Sequence, residues 1–482
     1  MSVSKSDQPK LDPHVIRVAL ALIAGIIAVI FDTTIVSVAI HDLGDDLHTS
    51  VSTIQWVSTG YLLAMFVAIP ATGWLQARVG GKNLWIASIA LFLLGSVLCA
   101  TAWDATSLIG FRVIQGLGGG IMMPLMTTLL LQAAGGQNLG RLMSIVGLPA
   151  SLGPILGPIL GGIILNWLSW QWLFLVNVPV CLVGMWLAWR MLPADRPAPG
   201  SARPVFDAIG FGLLTPGVVA ILFGLSNVSK DGGFGRGDVW IPAVIGVALV
   251  VAFVVWAAPR RERALLDVHL LRHRPLALGT GLLLLTGAAL YGSMLLLPLY
   301  FQELRGSTAL TAGLLLIPQG VGTLLSRTFG GRLTDDVGPQ IAALVGFGIL
   351  TIATVPFAFA DANTSMWCLG LVLFVRGLGL GIAFTPLMSV AFLGLQRHEM
   401  PDASVFTRVA QQLGGSFGTA ILAVILEAAV TSGAGPVHGF QVSFWWTVGF
   451  VAVAVVLSFL LPRSLTQPEA APAEIPVEAP GA

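Results

Sequence analysis

The chain has 482 residues, 56% of them hydrophobic and 10% charged, with a formal net charge of +1 and a mean hydropathy of +0.88. No soluble globular surface can be built from so few charged residues, so the composition excludes a water-soluble enzyme or binding module and implies a polytopic membrane protein. The balanced net charge says nothing further about partners.

A membrane-crossing helix needs ~20 predominantly apolar residues. Fourteen segments meet that requirement, at about 15–40, 52–75, 84–102, 106–131, 139–165, 170–192, 207–226, 239–258, 275–300, 311–330, 341–360, 365–390, 404–427 and 440–461. The first is too long for a signal-peptide core and reads as a retained span. With both termini cytoplasmic, the inner loops and span ends collect Lys5, Lys10, Arg17, Arg78, Lys82, Arg141, Arg190, Arg196, Arg203, Arg260, Arg261, Arg263, Arg272, Arg274, Arg327, Arg332, Arg397 and Arg463. The outer loops then hold Lys230, Arg236 and Arg305. This asymmetry sets the orientation, and it would vanish if a span were missed or invented. Residues 1–14 and 462–482 become cytoplasmic tails, the second rich in Pro, Ala and Glu and expected to be disordered.

The first span, with VIFDTTIVSVAI, places Asp32 inside the apolar stretch. A carboxylate there costs ~2.5–3.5 kcal/mol on insertion scales, so such residues face a cavity and often mark an ion path. At ~1.5 Å of rise per residue, Asp32 lies about 12 Å below the outer end of its span and Arg112, in the fourth span, about 9 Å below the same surface. The two charges can therefore share a layer. Two readings stand. Asp32 is a proton carrier, its charge state set by burial against the pull of a guanidinium, or the two residues form a permanent ion pair. The ninth span, which corresponds to the first, has no acid, and an architectural pair would be expected to recur; that favours the carrier.

Other polar residues are read beside it. Trp56, Tyr61, Gln115, Asn177, Tyr291 and Gln319 are amphipathic or polar within spans and are candidates for a substrate cavity, although Trp and Tyr near span ends equally serve as interfacial anchors. Arg376, in LFVRGLGLG, is the near-counterpart of Arg112 with no obvious carboxylate opposite. It either binds backbone carbonyls or holds helices together. Glu427 and Asp207 stand at span ends and read as boundary residues. Cys99, Cys181 and Cys368 fall in apolar segments, are odd in number and show no metal spacing, so they read as small buried hydrophobes.

The fifth span contains GLPASLGPILGPILGGIIL (147–165), with prolines and glycines that would weaken a soluble helix. Gly153, Gly157 and Gly161 recur every four residues and form a flat stripe on which another helix can approach closely. Pro154 and Pro158 lie beside that stripe and favour a bend. A bent, smooth helix of this kind can seal a cavity while its neighbours move.

Two pairs of segments match internally. GWLQARVG (73–80) aligns with GRLTDDVG (331–338) at an offset of 258, and GLGGGIMMPLM (116–126) with GLGLGIAFTPLM (377–388) at 261. The chain thus contains two related halves, as transporters built from repeats do. Halves that abutted would repeat at roughly 180–200 residues, and the excess fits two additional spans, 207–226 and 239–258. The expected architecture is all-α, with two pseudo-symmetric six-helix bundles (15–192 and 275–461) separated by a two-span insert with its linkers (193–274). The GxLxxxxG stretches read as tight inner connections whose charges can pair across the halves and latch one conformation.

No GxxxxGK[ST], HExxH or Cys/His cluster occurs, and the glycine runs at 116–120 and 377–381 lie inside apolar helices. A nucleotide-driven pump, a metal site and catalytic chemistry therefore have no support, and neither a cofactor nor a nucleic-acid partner is expected.

FDTTIVSVAI in the first span, QWVSTGYLLA in the second, GWLQARVGGK after it, RVIQGLGGG in the fourth, GPILGPILGG in the fifth and WQWLFLVNVP in the sixth resemble, with PLYFQELRGSTALTAGLLLIPQG and RVAQQLGGSFGTAI, one family. It is the fourteen-span drug:proton antiporters of the major facilitator superfamily, the EmrB/QacA type, and the resemblance covers nearly the whole chain. It implies the major facilitator fold and a monomer in a bacterial cytoplasmic membrane. It also implies export of lipophilic drugs by alternating access, with protons as the co-substrate. The same resemblance implies that Asp32 is the protonation site and that Arg112 assists it. Gly153, Pro154, Gly157, Pro158, Gly161 and Gly162 would form the antiporter motif. Gly73, Arg78, Gly80 and Lys82, with Gly331, Asp335 and Gly338, would form the cytoplasmic gating loops. In one departure, Ala77 stands where the family pattern usually has Asp, whereas the second copy keeps Asp335. Export of an endogenous lipid or secondary metabolite on the same scaffold is the alternative function. A transport-inactive sensor is disfavoured by the presence of Asp32 and Arg112.

Overall fold

Caps and turns written into the sequence decide where the helices start. Asp12 opens α1 (Pro13–Val38): its carboxylate accepts from the His14 N–H at 2.8 Å, and Pro13 sits where a missing N–H costs nothing. α2 (Val51–Ala68) passes through a 3₁₀ turn into α3 (Thr72–Val79), and α4 (Gly81–Ala100) follows. Asp104 and Ser107 form a reciprocal capping box at the start of α5 (Ala105–Ala134). The chain continues through α6 (Trp172–Leu175), α7 (Asn177–Met191), α8 (Ala208–Ser226), α9 (Gly237–Ala257) and α10 (Arg274–Leu299). It ends through α11 (Ala309–Leu315), α12 (Ile317–Asp336), α13 (Pro339–Thr354), α14 (Met366–Ala391), α15 (Met400–Ala429) and α16 (Gly435–Ser458).

The structure is a computed structural model and describes all residues except 1–11, 40–42, 45, 50, 136–141, 143–144, 146–156, 158–159, 194–204, 228–236, 308, 397, 430–434 and 465–482. The expected C-terminal tail, Arg141 and the motif residues Gly153, Pro154 and Pro158 lie outside the described residues. Among those described there is no strand, and twelve helices are long and apolar enough to cross a membrane. The other two expected spans are 139–165, described only in part, and 311–330. The latter is interrupted after Leu315, and α12 then continues to Asp336. Arg327, expected at an inner span end, consequently sits well inside α12 and is 7% exposed. Cys99 and Cys181 are buried as expected, but Cys368 is exposed, because the packing of α14 turns that face outward.

The internal repeat reappears as packing. A Cβ on Gly118 of α5 would lie 2.6 Å from the Phe92 nitrogen and 2.8 Å from the Ser88 oxygen of α4. On Gly379 of α14 it would lie 2.6 Å from the Leu350 nitrogen and 2.9 Å from the Gly346 oxygen of α13. Both partner pairs stand at the 258-residue offset read from the GxLxxxxG stretches. In each half, glycine lets one helix run backbone to backbone against its neighbour, which any side chain would prevent.

The same register governs the turns. Gly80 (φ 84°, ψ 152°) and Gly338 (φ 103°, ψ 155°) hold conformations that L side chains avoid, and they let α3 run directly into α4 and α12 into α13. The expected loops are therefore mostly helix, with only the closing glycine turning. Lys82 Nζ donates to the carbonyls of Trp189 (2.7 Å) and Leu192 (2.9 Å) at the end of α7. Gln340, at the equivalent place, donates to the carbonyl of Phe459 (2.6 Å) just past α16. At Gly338 a Cβ would also come within 1.9 Å of the Arg463 carbonyl oxygen. Strain of this kind costs roughly 1–3 kcal/mol, so Gly338→Ala is expected to lower the Tm of the detergent-solubilised protein by several degrees. An unchanged melting curve would contradict that reading.

The bundles are joined at one face. An apolar cluster holding Met126, Leu130 and Leu131 of α5 together with Leu276, Phe392, Leu395 and Met400 spans both halves near the start of α1. Thr128 and Ser404 hydroxyls meet there at 3.0 Å, and Arg408 Nη2 reaches Met123 Sδ at 3.4 Å. At the opposite face the described apolar residues form separate clusters, one around Ile35, Leu108 and Phe174 and one around Tyr300, Phe357 and Phe444. α8 and α9 pair with each other and pack Leu214, Val218 and Phe253 against Phe66 of α2 and Val405 of α15. Asp207 anchors this pair, accepting from Gly210 N, Trp256 Nε1 and Leu265 N at 2.8–3.1 Å.

Candidate functional site

Six helices of the first bundle contribute to a fully buried polar centre. Asp32 of α1 is 0% and Arg112 of α5 1% exposed. Arg112 Nη1 donates to Asp32 Oδ2 at 2.5 Å and to Gln115 Oε1 at 2.7 Å, and its Nε donates to the Val57 carbonyl of α2 at 3.1 Å. The guanidinium also stacks 3.9 Å from the Tyr61 ring centroid and 5.7 Å from that of Phe174, a favourable position over the negative face of a ring. Asp32 Oδ1 accepts from Gln115 Nε2 at 2.9 Å and Asn177 Nδ2 at 3.2 Å. Ser96 of α4 accepts from both amides (3.1 and 3.0 Å) and donates to the Phe174 carbonyl at 2.9 Å. Cys99 adds a weak donor to Gln115 Oε1 at 3.7 Å.

This satisfaction matters because an ion pair taken out of water is tolerable only when its remaining donors and acceptors are occupied. It also prepares a second state. If Asp32 takes up a proton, Arg112 still has the Val57 carbonyl and Gln115 Oε1 to hold it. The centre can therefore change charge without leaving a buried guanidinium without hydrogen bonds.

The second bundle carries a related centre with different charges. Arg376 is 0% exposed; its Nε donates to Thr354 Oγ1 at 3.2 Å, its Nη1 to Gln319 Oε1 at 2.8 Å and its Nη2 to Ser293 Oγ. These partners are side chains, where backbone carbonyls were one expectation. The register is informative. Ser293 follows Asp32 by 261 residues, Thr354 follows Ser96 by 258, Gln319 follows Tyr61 by 258, and Arg376 follows Gln115 by 261. Arg376 is thus the counterpart of Gln115, and buried Leu373 (1% exposed) takes the position of Arg112.

Not every candidate joins a centre. Tyr61, Gln115 and Asn177 surround Asp32, and Gln319 meets Arg376. Trp56 is 41% exposed and packs on Phe223 of α8, 5.9 Å between ring centroids, so it faces the insert. Tyr291 lies against Gly415 of α15. Gly73 abuts Pro401 and Asp402 at the start of α15, where a Cβ would be 3.3–3.4 Å away, and Arg78 lies 5.3 Å from the Trp74 ring centroid. Gly331 is buried and Asp335 partly buried near the end of α12. Gly157 presses on Thr34, two residues past Asp32: a Cβ there would be 2.0 Å from the Thr34 hydroxyl oxygen. Gly161 is buried, and among the described residues nothing lies within 4 Å of a Cβ at Gly162. Ser96, Ser293, Thr354 and Thr34 are contacts that residue-by-residue reading passes over, since hydroxyls are common in membrane helices. Applying the 258-residue offset to Ser96 would have pointed to Thr354.

The Major Facilitator Superfamily model matches residues 22–419. The chain is 38% identical over 427 residues to the multidrug resistance protein B homolog of Mycobacterium tuberculosis (strain ATCC 25618 / H37Rv), covering 88% of this chain and 78% of that protein. It is 32% identical over 408 residues to the multidrug export protein EmrB of Haemophilus influenzae, covering 84% and 79%. Among solved structures, the proton:xylose symporter XylE superposes with a TM-score of 0.61 at 14% identity, covering 94% of this chain and 96% of that one. That likeness is one of fold.

Proposed function

The chain belongs to the Major Facilitator Superfamily, and on that premise we propose that it exports lipophilic small molecules, drugs among them, in exchange for protons. Its relatives' names, multidrug resistance and multidrug export, support the substrate class. The observation that carries the proton is Asp32, the one fully buried acid among the described residues, bonded to Arg112. Protons and the lipophilic substrate are the partners, the acting unit is a monomer, and both termini face the cytoplasm of a bacterial cell, as the distribution of Arg and Lys favours.

In this orientation the bundles meet at the cytoplasmic face and the described state is outward-facing. A proton arriving from outside neutralises Asp32, and Arg112 keeps its bonds to the Val57 carbonyl and Gln115. With the pair dissolved, the bundles rock, opening the cytoplasmic face where substrate enters from the cytoplasm or inner leaflet. Substrate binding favours proton release inward, and the cycle returns.

The test uses the full chain in proteoliposomes loaded with a pH-sensitive dye. An imposed proton gradient is expected to drive uptake of a lipophilic fluorescent drug into inside-out vesicles, and nigericin, which collapses that gradient, should abolish it. Drug movement that is saturable yet indifferent to the gradient would refute proton coupling.

A further inference from the structure

The Arg376 centre is not used by the proton cycle, and its composition asks for a missing charge. We propose that it is an anion-recognition site, taking the carboxylate of an amphipathic acidic small molecule, which would supply to Arg376 the negative charge that Asp32 supplies in the first bundle. This deepens the exporter reading by naming a substrate class, and it rests on that reading for its transport consequence alone; the binding consequence stands by itself.

The first support is the comparison within the fold. In the first bundle a carboxylate and a guanidinium balance, with neutral Gln115 bridging them. In the second bundle the carboxylate position holds Ser293, the guanidinium position holds Leu373, and the bridging position holds the cation Arg376. Among the described residues the centre therefore carries one positive charge and no negative one. The apolar segments 275–300, 311–330, 341–360, 365–390 and 440–461 contain no Asp or Glu at all.

The second support is hydrogen-bond direction. Ser293 Oγ donates its proton to the Ala289 carbonyl at 2.5 Å, and Thr354 Oγ1 donates to the Leu350 carbonyl at 2.7 Å. Both hydroxyls thus turn lone pairs toward Arg376, so its three polar neighbours are neutral acceptors. A guanidinium has five N–H donors arranged as a planar fork; three are used here. A carboxylate replacing the amide oxygen of Gln319 would make a charge-assisted pair with that fork. Gln319 is the only partly buried member of the group and is the one a ligand would displace.

A third support lies on the same pair of helices. Arg327 of α12 is 7% exposed, its Nε and Nη1 have no hydrogen-bond partner among the described residues, and its guanidinium lies 4.9 Å from the Phe384 ring centroid of α14. It stands eight residues beyond Gln319, about 12 Å along the helix. Two buried cations without a carboxylate on adjacent helices make this side of the second bundle positive. In a low-dielectric setting that potential attracts anions strongly.

The probes are 2-naphthoate and its neutral amide, 2-naphthamide, with binding measured by equilibrium dialysis against the full chain in lipid nanodiscs. Wild type is expected to bind the naphthoate at least about tenfold more tightly than the amide, the size of one good charge-assisted contact. Arg376→Gln should erase that preference. Ser293→Asp should erase it too, because an internal carboxylate then occupies the fork. The amide should bind both variants within about twofold of wild type, which reports that they are folded. Repeating the series with sulfate replacing chloride distinguishes the sources of negative charge: persistence of the preference supports a carboxylate site, whereas a preference seen in one salt alone overturns it. Equal binding of the two probes to wild type, or an undiminished preference in both variants, would also overturn the proposal. Failure of the exporter reading would look different, as absence of proton-driven movement of either probe in proteoliposomes with the binding preference intact.

Discussion

Asp32→Asn is expected to insert and fold normally yet lose the ability to build a substrate gradient. A proton moving down ~100 mV contributes ~2.3 kcal/mol, and every 1.4 kcal/mol is tenfold, so one coupled proton supports roughly a fiftyfold gradient per 100 mV. Loss of the titrating group should reduce that to no accumulation at all, with passive exchange of substrate surviving. Asparagine retains an oxygen able to accept from Gln115 and Asn177, and Arg112 retains the Val57 carbonyl and Gln115 Oε1. Removing one member of a buried pair usually costs 3–5 kcal/mol, but Arg376 shows that this scaffold holds a buried guanidinium on neutral partners. The measurement is substrate-driven proton release from proteoliposomes, wild type against variant. Unaltered release would remove Asp32 from the coupling role.

Gly157→Leu is expected to reach the membrane in normal amount and to transport at background. Even a Cβ at this position would lie 2.0 Å from Thr34 Oγ1 and 2.5 Å from Thr34 Cβ, so the fifth segment cannot keep its approach to α1 beside Asp32. Overpacking of this kind costs typically ~1–3 kcal/mol, and Gly157→Ala should already slow efflux about tenfold. Gly212→Leu on α8 is the control, since among the described residues a Cβ there meets nothing within 4 Å, and it should behave as wild type. Dye efflux from cells, normalised to membrane-inserted protein, separates these outcomes. Full efflux by Gly157→Leu would show that the close approach has no part in transport.

Much of this protein can be read from depth along each helix. Apolar run length placed twelve of the fourteen expected spans among the described residues, and a rise of ~1.5 Å per residue was enough to put Asp32 and Arg112 in one layer, where they form an ion pair. The paired GxLxxxxG stretches announced a repeat whose register recurs in the helix contacts of Gly118 and Gly379. Gly80 and Gly338 were legible as turns because their backbone conformation is a property of single residues.

What the sequence determined by itself was therefore local or axial: which segments are apolar, how deep a charge sits, where the chain must turn and that it repeats. The tertiary structure decided the rotation of each helix and the identity of its neighbours. That rotation exposes Cys368 on a helix whose other face buries Arg376. It turns Trp56 toward the insert and makes Arg376 the counterpart of Gln115. Hydropathy averages over all faces of a helix, so it registered Arg327 as a span end although neighbouring helices enclose it. Depth follows from covalent spacing along one chain, whereas azimuth follows from close packing among several, and the chemistry of both buried centres depends on azimuth.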